Sequence, residues 1–85
     1  MKPSVRVLFF STAREAAGAG EVACEVPARG ATLRAVLSGV VEEHPRLGPV
    51  LKVSRFVRNG RYVKGIGTRV RPGDEIAVHP PYSGG

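Results

Sequence analysis

At 85 residues the chain has room for one domain, and a chain this short buries only roughly 60% of the surface its unfolded form exposes. Hydrophobic residues at 42% and charged residues at 24% are ordinary for a globular domain and exclude global disorder. A single cysteine, Cys24, excludes an internal disulfide framework, and His44 and His79 stand too far apart for ligand-like spacing, so no metal site is expected. No run approaches the roughly 18 apolar residues of a membrane span, and the N-terminus lacks a signal-peptide stretch. A soluble, cytoplasmic protein without membrane association is expected.

The net charge is +6, from 13 Lys and Arg against 7 Asp and Glu. Arg46, Lys52, Arg55, Arg58, Arg61, Lys64, Arg69 and Arg71 gather it in the second half. Such a face can attract nucleic acid, a nucleotide or an acidic partner, or can simply be a solvated surface. No RNA-recognition signature, zinc finger or helix-turn-helix pattern accompanies the charge, so nucleic acid is not an expected partner.

In chain order, Val5-Arg6-Val7-Leu8-Phe9-Phe10 is β-branched and aromatic and reads as a central strand. Residues 11–17 suit one or two helical turns with Ser11 or Thr12 as N-cap, stopped by Gly18-Ala19-Gly20. Residues 21–26 alternate as a half-buried strand. Cys24 shares the inward phase with Val22 and Val26 and is expected to pack as a core cysteine.

Residues 33–44 predict the main helix. Thr32 is its N-cap, and Leu33, Val36, Leu37, Val40 and Val41 form one apolar stripe fit to lie across a sheet. Pro45 and a loop over 46–49 end it. A third strand is expected over 53–58. Asn59-Gly60 then signals a type I′ hairpin turn returning through Arg61-Tyr62-Val63. Arg71-Pro72-Gly73-Asp74 reads as a turn, and residues 75–79 as the last strand.

This order predicts an α+β fold of the β-grasp, ubiquitin-like kind: a mixed sheet of four to five strands with one main helix across one face. The domain spans 1–79 and a flexible tail spans 80–85. Leu8 and Phe10 lie on the strand face opposite Val5, Val7 and Phe9. They either form an apolar patch for a partner or are covered by the 47–51 segment.

In the tail, Pro80 and Pro81 lack N–H donors and end sheet pairing. Ser83, Gly84 and Gly85 have almost no side chain, so they can thread a tunnel where a Cβ would clash. The Gly85 carboxylate is inert until ATP turns it into an acyl-adenylate, which a sulfur nucleophile converts to a thiocarboxylate. A tunnel would keep water from the activated species.

Over nearly its whole length the chain resembles the small, sulfur-carrying subunit of molybdopterin synthase, in the ubiquitin-like sulfur-carrier superfamily. The resemblance rests on residues 5–10 followed by Ala13-Arg14-Glu15, on Phe56-Val57-Arg58-Asn59-Gly60, on Arg71-Pro72-Gly73-Asp74-Glu75-Ile76-Ala77, and on Pro80-Pro81-Tyr82-Ser83-Gly84-Gly85. The last two are specific when taken together.

The resemblance implies a carrier that performs no chemistry itself and binds no cofactor; ATP is used by the activating enzyme. An E1-like adenylating enzyme and a sulfurtransferase would load Gly85, and the large subunit of molybdopterin synthase would accept the tail for sulfur transfer to the pterin. Gly84 would allow close approach, and Ser83, Tyr82, Pro81, Pro80, His79, Leu8 and Phe10 would meet partners. His79 stands where the family commonly has an apolar residue, and Tyr82 where a small aliphatic is common. Two other readings share the same activation: a carrier for tRNA thiolation, cysteine or thiamin synthesis, and a ubiquitin-like modifier joined to lysine through Gly85.

Overall fold

A computed structural model describes residues 2–81. Its elements in chain order are β1 (Ser4–Phe9), α1 (Ser11–Ala17), β2 (Glu21–Glu25), β3 (Ala31–Thr32), α2 (Leu33–Glu43), α3 (Leu47–Val53), β4 (Arg55–Arg58), β5 (Arg61–Tyr62), β6 (Arg69–Val70) and β7 (Glu75–His79). The main sheet runs β2-β1-β7-β4-β5, with β1 and β7 parallel and the other pairs antiparallel. A separate two-stranded pair joins β3 to β6. This is the expected mixed sheet of the ubiquitin-like α+β class.

All three helices supply the core on one face of the sheet. Val5, Val7 and Phe9 of β1 and Ile76 and Val78 of β7 are buried against Leu33, Val36, Leu37 and Val40 of α2. Ala13 and Ala17 of α1, Leu47 and Leu51 of α3, and Val26, Phe56 and Val70 complete the cluster. Val41, the fifth member of the apolar stripe, is only half-buried.

The first turn of α2 is well capped. The Leu33 N–H donates to the Thr68 carbonyl and the Arg34 N–H to the Ile66 carbonyl, both at 2.8 Å. The Ala35 N–H donates to Thr32 Oγ1 at 3.1 Å. Three of the four donors a helix start leaves without intrahelical acceptors are thereby satisfied.

Three expectations are corrected. Ser11 and Thr12 do not cap α1: Phe10 occupies the N-cap position, with no side-chain hydrogen bond. The Phe10 carbonyl instead accepts from the Ala13 and Arg14 N–H groups, and Ser11 takes φ 52°. The 46–49 loop is the start of α3. Pro49 is its third residue, in the turn whose N–H groups have no intrahelical acceptor, so the ring costs the helix no bond. The third strand therefore starts at Arg55, and Val53 is an exposed helix end. Finally, Cys24 packs against the core as expected but is only half-buried.

The Asn59-Gly60 turn has the expected positive φ at both positions, 48° and 86°. Asp74 ties it to the turn before β7. Its carboxylate accepts from Arg58 Nε at 2.8 Å, Asn59 Nδ2 at 2.9 Å and the Arg71 N–H at 2.8 Å. Burial alone would push this carboxyl up. The Arg71, Asn59 and Arg58 hydrogen bonds and the Arg58 charge more than offset that and hold it below the usual carboxylate range.

A depressed folded-state pKa gives stability that is present above the unfolded value of about 3.9 and is lost as pH falls through the folded value. Stability should therefore decline below about pH 4. In Asp74→Asn it should start lower at neutral pH and decline less on acidification. Urea midpoints across that range test this, and parallel pH profiles for the two proteins would refute it.

Candidate functional site at the base of the tail

Strand alternation sets the outer face of the sheet, opposite the helices. Leu8 lies beside Ala77, and Ala77 faces Val57, so these three half-buried apolar residues share that face across β1, β7 and β4. Leu47 and Leu51 belong to the core cluster on the other face. The expected alternative of coverage by the 47–51 segment therefore fails: α3 does not cover Leu8 and Phe10. Leu8 is half-buried and Phe10 is 43% exposed.

At the end of the sheet where β7 stops, the outer face carries a row of aromatic and cationic groups. Phe10 and His79 stack nearly parallel, with ring centroids 4.8 Å apart and planes inclined by 3°. In the β4–β7 register Arg55 lies opposite His79. Its guanidinium sits 5.9 Å from the centre of the Tyr62 ring, within cation–π range. Phe10 is held on its own side by the α1 hydrogen bonds to its carbonyl. His79 leads directly into Pro80, which is half-buried, and Pro81, which is exposed. The stack thus holds the end of β7, immediately before the two prolines.

Toward the start of β1 the same face is charged, and the charge reaches Glu21, which pairs with Leu8. Arg6 forks onto Glu21, through Nε at 3.1 Å and a terminal nitrogen at 3.2 Å, and reaches Glu75 at 3.3 Å. Hydrogen bonds from Arg6, and then its charge, hold the Glu21 carboxyl below its ordinary value; the same contacts raise the Arg6 guanidinium. These groups are exposed, so the pairs orient side chains more than they stabilise the fold.

Leu8, Phe10, His79, Pro80 and Pro81 are therefore brought to one face and one end of the sheet. Tyr82, Ser83, Gly84 and Gly85 lie outside the described residues. Arg55 and Tyr62 were not assigned to the site from the sequence. The signal was present in the Asn59-Gly60 turn, whose two-residue loop pairs Val57 with Tyr62 and so puts Tyr62 on the face of Val57 and Arg55. Cys24 is not placed to act as a thiolate: burial, and then the Glu43 charge, push its thiol up. Among the described residues no helix is long and apolar enough to cross a membrane.

The profile of the ThiS family matches residues 7–85, so the chain belongs to the ThiS family. A relative from Chlamydomonas reinhardtii, a molybdopterin synthase sulfur carrier subunit, is 37% identical over 82 residues, 95% of this chain and 98% of that protein. Small archaeal modifier protein 1 of Haloferax volcanii has the same fold, with a TM-score of 0.84 and 31% identity over 96% of this chain and 99% of its own. A structure of the complex of subunits 1 and 2 of molybdopterin-converting factor from Helicobacter pylori gives a TM-score of 0.68 at 23% identity. That match covers 96% of this chain and 99% of that one and speaks to the fold alone. The ubiquitin-like kinship expected from the sequence is thus borne out.

Proposed function

We propose that the protein is a sulfur carrier for molybdopterin synthesis, working through the carboxylate of Gly85. The observation that carries this is the launch point: β7 ends on the Phe10–His79 stack, and two prolines and Tyr82 lead to Ser83-Gly84-Gly85, which has almost no side chain. The likeness to a molybdopterin synthase sulfur carrier subunit supplies the pathway. A carboxylate oxygen of Gly85 attacks the α-phosphate of ATP and releases pyrophosphate. The persulfide of a sulfurtransferase then attacks the acyl carbon and displaces AMP, and a thiol cleaves the resulting acyl disulfide, forming a disulfide with the donor sulfur and releasing the thiocarboxylate. ATP and the catalytic groups belong to an E1-like enzyme; the carrier supplies the acyl group and the surface by which it is held.

The partner surface in this reading is the Leu8–Ala77–Val57 patch with its Phe10–His79–Arg55–Tyr62 rim. It serves the activating enzyme and the large synthase subunit in turn. Leu8→Asp should keep the fold, because Leu8 is outside the core, and should weaken association with the large subunit by at least about tenfold, the cost of putting a charge in the centre of an interface. Titration calorimetry reads this, and unchanged affinity would remove this face from the interface.

Loading itself is tested by incubating the protein with the cognate activating enzyme, ATP and a sulfur donor. Replacing one carboxyl oxygen by sulfur adds about 16 Da at the C-terminal peptide, as acyl activation requires. A second reading, conjugation of Gly85 to a lysine amine, is favoured by the fold match to a small archaeal modifier protein. It shares the adenylation step and would appear as a covalent adduct in place of that mass gain. Delivery of sulfur to tRNA, cysteine or thiamin would instead show the mass gain with a different acceptor.

A further inference from the structure

β2 is a terminal strand of the main sheet, and no described strand pairs with its outer edge. The Val26 N–H donates to the Pro3 carbonyl and the Phe9 N–H to the Gly20 carbonyl, which sets the phase of the β1–β2 ladder. Val22 and Cys24 therefore turn their backbone groups toward β1. Glu21, Ala23 and Glu25 turn theirs outward, as free donors and acceptors along the edge.

Beside this edge lies a groove of about 380 Å³ between β2 and α2. Val22 and Cys24 point to the helix side of the sheet but stay half-buried, because α2 does not close over them. The helix wall of the groove is low: it is made by Ala35 and Gly39, one turn apart, and a Cβ on Gly39 would meet nothing within 4 Å. Glu43 stands at its end, beside Cys24 and His44. Glu21 and Glu25 flank Ala23 on the opposite face. Both carry exposed ion pairs, Glu21 with Arg6 and Glu25 with Lys2 at 3.5 Å. In a chain of net charge +6, the β2 edge is thus marked by carboxylates.

We propose that this edge and groove form a docking site for an extended basic segment of a partner protein, added to the sheet as a sixth strand. Alternation dictates the segment. The residue facing Ala23 lies on the outer face, its two neighbours drop apolar side chains into the groove over Val22 and Cys24, and the next pair lies opposite Glu21 and Glu25. The favoured pattern is basic–apolar–any–apolar–basic, since opposite charges facing each other across strands attract. The same carboxylates disfavour a second copy of this chain. Two-fold antiparallel pairing about Ala23 would set Glu21 of each copy against Glu25 of the other. The site is separate from the tail and does not depend on loading at Gly85.

The test is a titration of the isotope-labelled full chain with a blocked peptide centred on Lys-Val-Thr-Val-Lys, followed by amide chemical shifts and amide hydrogen exchange. Shifts should centre on residues 21–25 and 35–44, and the Glu21, Ala23 and Glu25 amides should become protected. A Glu-Val-Thr-Val-Glu peptide should bind at least tenfold more weakly. Ala23→Pro removes only an outward N–H and should abolish binding. Gly39→Leu fills the groove without burdening the fold and should weaken it at least tenfold. Shifts confined to another face, equal binding of the two peptides, full binding by both variants, or β2-mediated dimers in place of peptide binding would each overturn the proposal.

Discussion

Deleting Gly85 is expected to abolish loading with sulfur while leaving the fold intact. Among the described residues, β7 closes at His79, and its buried residues are Ile76 and Val78. Removing a residue six positions beyond His79 takes no group from the described core or ladder. It moves the carboxylate back along the chain by about 3.3–3.6 Å, the span of one extended residue. A misplacement near 1 Å already costs about 10²-fold in a reaction that depends on positioning. Adding one alanine after Gly85 should fail as well, through the opposite displacement and an added Cβ. The measurement is the mass of the C-terminal peptide after reaction with the activating enzyme, ATP and a sulfur donor, beside an amide-resonance check of the fold. Full loading of the deletion variant would end the proposal that Gly85 is the working group.

Leu33→Ala is expected to have the largest effect on stability, about 2–5 kcal/mol. Leu33 is fully buried, and it opens α2 with its N–H bonded to the Thr68 carbonyl. Truncation leaves a cavity where α2 meets the sheet, and the capped first turn cannot easily shift to fill it. A domain with about 5–15 kcal/mol of total stability loses a large share. Urea unfolding with an unchanged slope would register it as a lower midpoint. A change below about 1 kcal/mol would mean that the helix start relaxes into the space.

Much of the fold was legible because its signals are local. The i, i+3, i+4 stripe of α2, the Thr32 cap, the Asn59-Gly60 turn and the 71–74 turn each occupy a few consecutive residues, and each stands where it was expected. α3 was not legible. Gly48 and Pro49 read as breakers, and only the burial of Leu47 and Leu51 beneath the sheet makes a helix there worthwhile. The β3–β6 pair is two residues long and joins segments far apart in sequence. Its one local trace is Gly30, where φ is 86° and a Cβ would run into the Val70 carbonyl oxygen.

At the site, alternation separated Leu8 from Val5, Val7 and Phe9 but could not say which face α3 would take. The Phe10–His79 stack needed the parallel β1–β7 register, a pairing of the two ends of the chain. The tail residues to which the proposed function assigns the chemistry, 82–85, lie outside the described residues.

The position of β7 also sets the course of folding. β1 and β2 form one antiparallel pair, closed through α1, and β4 and β5 another, closed by two residues; both are local and able to form early. The two touch only through β7, which pairs with both. Its contact with β1 brings together Arg6 and Glu75, 69 positions apart. The loop-closure entropy for that contact must be met before any of its reward arrives, so strand insertion between the two pairs is the slow step of a fold with otherwise fast parts. Mutations in β7 such as Ile76→Val should therefore act mainly on the folding rate, and an effect confined to the unfolding rate would place insertion after the barrier. Because His79 is the final residue of the inserting strand, the tail acquires its fixed launch point only when that last step is complete.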